Sequence, residues 1–106
     1  MTAYHTPDAL LRHAPSKIAR NLVYLRHFGA LNRHEAARLV GDTCLNSTIA
    51  VLAINYGLTI QRTPEKVPNR WGEPTDCMRY RLPASEHERA DKVLAHMFER
   101  SGRTVA

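Results

Sequence analysis

The chain has 106 residues, of which 43% are hydrophobic, 7% aromatic and 24% charged. A chain of this length holds one domain with a modest core, not the several units of a multidomain enzyme. Fifteen Lys and Arg stand against ten Asp and Glu, and the net charge of +5 favours anionic partners.

The longest fully apolar run, residues 49–54, has six residues and is too short to cross a bilayer. Residues 1–7 lack a charged stretch followed by an apolar one, so no secretory leader is read there. A cytoplasmic protein is expected, with Cys44 and Cys77 as reduced thiols. No CxxC, Cys/His cluster or His pair beside an acid offers metal-ligand spacing. There is no Gly-rich phosphate loop and no nucleophile with a recognisable base. An enzyme, a metal and a cofactor are therefore not expected.

Thr6-Pro7-Asp8 has the form of a helix start, with Pro suited to the first helical position. A short helix over 7–13 would carry Leu10 and Leu11, and Pro15 would interrupt it. Ser16 can cap the next helix, where Ile18, Leu22, Leu25 and Phe28 form one buried stripe that Gly29 closes. Asn32 and Glu35 have capping-box spacing, with Leu31 and Ala36 at the staple positions. They start a two-turn helix over 33–40 that stops at Gly41. Residues 42–45 are read as a turn. Asn46 is then the candidate cap of a helix over 47–56, ended by Gly57. On its wheel Ile49, Leu52, Ala53 and Tyr56 share one face. Ser47, Ala50, Val51 and Ile54 share the opposite one, with Asn55 at its edge.

After Gly57 the period changes from 3.6 to 2. Residues 58–63 and 77–82 alternate as half-buried strands do, the second with Met78, Tyr80 and Leu82 on one face and Arg79 and Arg81 on the other. Pro64, Pro68, Gly72 and Pro74 between them predict a long hairpin tip. Ser85 and Glu88 have the spacing of a second capping box. A helix over 86–100 should follow, striped by Ala90, Val93, Leu94, Met97 and Phe98.

Two short helices joined by a tight turn and followed by a hairpin predict an α+β, mainly α, chain of winged helix-turn-helix plan. Residues 1–15 form an arm or short helix, 16–82 the winged unit, and 83–106 an added helix of the same domain. The stretch from Leu31 to Leu82 resembles the small winged helix-turn-helix proteins of phages and prophages. The likeness lies in NRHEAARLVG, in NSTIAVLAINYG and above all in GLTIQRTPEKVPNRWGEPTDCMRYRL. The resemblance implies a transcriptional regulator or accessory factor that binds double-stranded DNA, with the third helix in the major groove and the hairpin as the wing. Its base-reading candidates are Ser47, Ala50, Val51, Ile54 and Asn55, and its wing candidates Lys66, Asn69, Arg70 and Trp71.

Arg33, Asn46 and Thr48 complete the candidate DNA contacts. Two placements of Trp71 are open: standing at a basic tip, or folded back on the core. The third helix departs from the pattern, because 46–56 contains no Lys or Arg, the usual readers of base edges. Its apolar outer face suits a protein contact instead. A protein-interaction module that docks on a host or phage protein and modulates it is thus the second reading. By segment the net charge is +4 over 1–41, −1 over 42–57, +2 over 58–82 and zero over 83–106. An anion-binding surface must be built from the first two helices and the wing. A homodimer is expected, held by the Ala90–Phe98 stripe with Leu10 and Leu11. The competing arrangement packs the last helix on the first within one chain.

Overall fold

A computed structural model describes residues 11–102. The expected helix start at Thr6-Pro7 lies outside them. Residues 11–13 are helical, and Leu11 and Ala14 are buried in the core.

Helix α1 spans Lys17–Phe28, and Ser16 caps it as read, its Oγ accepting from the Ala19 N–H at 3.1 Å. Leu22 and Leu25 are fully buried, as is Ala19. Phe28, expected in the same stripe, is 44% exposed. It sits in the last turn, where the chain leaves the core at Gly29, and its ring packs on Tyr24 with centroids 4.8 Å apart.

Strand β1, Ala30–Asn32, pairs over its whole length. Helix α2 spans Arg33–Val40. Its capping box forms as predicted: the Glu35 N–H donates to Asn32 Oδ1 at 2.9 Å and the Asn32 N–H to Glu35 Oε1 at 3.0 Å. Its last five residues, Ala36–Val40, widen into π-helix before Gly41, whose φ of 81° requires the left-handed region.

Helix α3 spans Leu45–Tyr56, two residues longer at its start than expected. Asn46 is therefore not its cap. Cys44 occupies that position and makes no side-chain cap bond; Asp42 Oδ1 receives the Cys44 N–H instead, at 2.9 Å. Asp42 is fully buried. Its Oδ2 also accepts from the Thr48 hydroxyl at 2.7 Å and the Asn21 amide at 3.0 Å, and Lys17 lies 3.5 Å from Oδ1. This knot ties α1 to the α2–α3 turn, across which the two helices bend by 94°.

The hairpin is displaced toward its tip relative to the sequence reading. Strand β2 is Gln61–Pro68 rather than 58–63, and β3 is Pro74–Arg81 rather than 77–82. They pair antiparallel from Gln61↔Arg81 to Pro68↔Pro74, and the sheet order is β1-β3-β2. Pro64 and Pro68, read as breakers, lie inside β2. That strand is an edge, where a missing N–H is tolerated, and Pro74 opens β3, the other permitted place. Leu58 instead anchors the approach to β2 in the core. Of the expected inner face, Tyr80 and Leu82 are buried, while Met78 is 36% exposed because there the ribbon leaves the body.

A 3₁₀ turn, Ala84–Glu86, leads into α4, His87–Ser101. The expected Ser85/Glu88 capping box does not form, because Ser85 lies within that turn. Glu86 is the cap, and its carboxylate accepts from the Thr59 N–H. Ala90, Leu94, Met97 and Phe98 are buried against the rest of the chain, with α4 packed on α1 and Arg26 paired with Asp91 at 2.8 Å. Four of the five residues of the stripe assigned to a dimer are thus covered within one chain, and Val93 is half-buried. The result is an α+β domain with a three-stranded antiparallel sheet. No single helix among the described residues is long and apolar enough to cross a membrane.

Candidate nucleic-acid interface

Helix α3 buries Leu45, Thr48, Ile49 and Leu52. Thr48, a candidate contact, is 3% exposed and spends its hydroxyl on Asp42, so it leaves the interface. The hydrogen bond to Asp42 holds it inward. Ser47, Ile54 and Asn55 are exposed, and Ala50 and Val51 half-buried, so the remaining outer face stands as read. Ile54 is 80% exposed.

Arg33 opens α2 and Asn46 sits in the first turn of α3. With Thr43, Leu45, Met78 and Tyr80 they line a cleft of about 340 Å³ between the two helix starts and β3. Direct cross-strand partners share a sheet face. Arg62, Pro64 and Lys66 oppose Tyr80, Met78 and Asp76, and so extend that same face outward along the ribbon. Arg62 lies over the Tyr80 ring, 5.8 Å from its centroid. Nothing in the local sequence pattern singles it out. Only the register shows that Arg62 shares the face of the cleft.

The tip is a closed turn. Asn69 Oδ1 accepts from the Trp71 N–H at 2.8 Å and the Glu73 N–H at 3.0 Å, while the Gly72 N–H donates to Asn69 O at 2.9 Å. Asn69 therefore builds the turn and has no free acceptor to offer a base. Gly72, at φ 82°, supplies the left-handed residue the turn needs. Trp71 does not fold back: it is 75% exposed, with the Arg70 guanidinium 5.0 Å from its ring. Lys66 is ion-paired with Asp76, which holds that carboxyl below its usual range.

On the opposite sheet face one cation is neutralised internally. Arg79, expected to face solvent, donates to Glu65 at 2.8 Å and, through both terminal nitrogens, to Glu35 at 3.1 Å. Asn32 donates to the other Glu65 oxygen at 2.8 Å. The Arg79 and Asn32 hydrogen bonds hold Glu65 below the ordinary carboxylate range, and Glu65 and Glu35 raise Arg79. This network fixes the base of the ribbon to the start of α2. It also removes one of the hairpin's five cations from any outside anion. Arg33, Arg62 and Arg70 have no acidic partner among the described residues.

Among the described residues no three His, Cys, Asp or Glu side chains gather as a metal would require. Cys44 is exposed and Cys77 buried, both as free thiols. Comparison with family models, curated proteins and solved structures found no match to this chain.

Proposed function

We propose that the chain is a double-stranded-DNA-binding protein of winged helix-turn-helix type, acting as a transcriptional regulator or accessory factor. One arrangement carries the reading. Two short helices meet at 94° across a four-residue turn that contains Gly41, and a two-stranded ribbon follows them. Helix-turn-helix pairs cross at about 90–120° through turns of that length. Arg33, Arg62 and Arg70 supply uncompensated positive charge, and Asn46, Ser47 and Asn55 the polar groups that can meet base edges or phosphates. Because α3 contains no Lys or Arg, the binding is dominated by backbone contacts and discriminates weakly between sequences.

The test is the affinity for a mixed-sequence duplex as a function of salt. Three phosphate contacts give a slope of log affinity on log salt of about −3. No binding at low salt, or a flat dependence, refutes the reading. A second reading is favoured by Ile54, 80% exposed on an uncharged helix face: α3 docks on a protein partner and the ribbon does not bind DNA. A duplex-insensitive chain that loses a partner on Ile54→Asp would support it.

A further inference from the structure

Trp71 is the one tryptophan of the chain, and it stands at the far end of the ribbon, 75% exposed. A lone exposed ring is ordinary on a protein surface; what distinguishes this one is how it is held. Its surroundings are set in advance. The turn at 69–73 is closed by the two hydrogen bonds to Asn69 Oδ1 and the one to Asn69 O, and strand pairing continues to Pro68↔Pro74 immediately below. Proline on both sides of that last pair stiffens the mouth of the turn. Arg70 lies over the ring and has no acidic partner among the described residues.

We propose that Trp71 is a stacking wedge: on a DNA duplex it enters the minor groove and stacks against an opened base step, with Arg70 beside it in the groove. The inference rests on the DNA-binding reading above and adds a mode of contact that the reading does not require. Geometry allows it. Beyond Asn32↔Arg79 the ribbon has five paired positions without support from β1, which project about 17 Å at the usual rise per residue. That exceeds a minor-groove depth of about 7.5 Å, so the tip reaches the groove floor before the body meets the backbone. Two strands abreast are too broad for a groove about 6 Å wide, and only the turn residues enter. Apolar side chains inserted at a base step unstack it and kink the duplex. A flanking cation suits the negative potential of a narrow minor groove.

Because the chain has a single tryptophan, its emission reports on this site alone. A low-salt titration with a duplex carrying 2-aminopurine at a TA step reads three quantities: overall binding by anisotropy of an end label, Trp71 emission, and unstacking by 2-aminopurine brightening. The wedge predicts quenched Trp71 emission, shielding from acrylamide, and a brighter 2-aminopurine. Trp71→Ala, at an exposed site outside the core, should keep the far-ultraviolet dichroism. It should weaken binding about 5- to 150-fold, the loss of one base–aromatic stack, and abolish the brightening. Binding with unchanged Trp71 emission overturns the wedge and leaves the DNA reading standing. Absence of binding overturns both.

Discussion

Replacing Asp42 by Ala should cost more stability than any other single polar change in the described chain. The carboxylate is fully buried and collects the Thr48 hydroxyl, the Cys44 N–H, the Asn21 amide and the Lys17 charge. Asn21 keeps a second acceptor in Lys17 O, at 3.0 Å. The main losses are therefore the Thr48 and Cys44 donors, and an unsatisfied buried donor costs about 1–3 kcal/mol. Together they give about 2–6 kcal/mol, lowered to about 2–4 kcal/mol because the desolvated carboxylate is also gone. At roughly 4–8 °C per kcal/mol for a domain of this size, the melting temperature should fall by about 8–32 °C. Thr48→Val removes one donor and should cost about 1 kcal/mol. Urea unfolding of the two variants and the double variant would show coupling of about 1 kcal/mol or more if the groups act as one knot. A loss below about 0.5 kcal/mol for Asp42→Ala would refute the reasoning. The knot also has a pH signature. Burial pushes the Asp42 carboxyl up, but the hydrogen bonds from Thr48, Cys44 and Asn21 and the Lys17 charge together hold it below its ordinary value. Its contribution is then complete above the ordinary aspartate range near pH 4 and is lost as pH falls through the lower folded value. Asp42→Ala should flatten that acid limb.

Arg79→Leu should remove about 1–2 kcal/mol by stranding the Glu35 and Glu65 carboxylates, measured by urea unfolding, and should weaken duplex binding by loosening the ribbon from α2. Arg70→Ala should lower the salt slope by about one. Lys66→Ala should lower it less, since Asp76 already compensates Lys66; equal effects would refute the assignment of free charge. Leu94→Asp should unfold the chain, at a cost of about 3 kcal/mol or more, and not release folded monomers from a dimer; light scattering with dichroism tells the two apart.

The helices were legible because their signals are local. Ser16, the Asn32–Glu35 pair and the glycines at 29, 41 and 57 each act within a turn of where they sit. The hairpin was found but placed three residues early at its start. Proline normally ends a strand, and only the sheet order, with β2 at an edge, makes Pro64 and Pro68 acceptable. Asp42 read as a turn residue because its partners Asn21 and Thr48 are brought to it by the fold. The same long-range closure took Thr48 out of the candidate interface and Arg79 out of the exposed charge. The apolar stripe on α4 was visible, but whether α1 or a second chain covers it depends on packing that periodicity does not encode. The turn residues placed Trp71 at the tip, but its exposure stayed open, because it follows from the length of the paired ribbon, which the sequence pattern understated.

Mapping amide shifts on isotope-labelled protein during titration with a mixed-sequence duplex tests the interface most directly. Changes are expected at Arg33, Asn46, Ser47, Asn55, Arg62, Arg70 and Trp71, fading as salt is raised, with α4 from His87 to Ser101 unmoved on its outer face. Shifts centred on α4, or none at the helix starts and the ribbon tip, would contradict it.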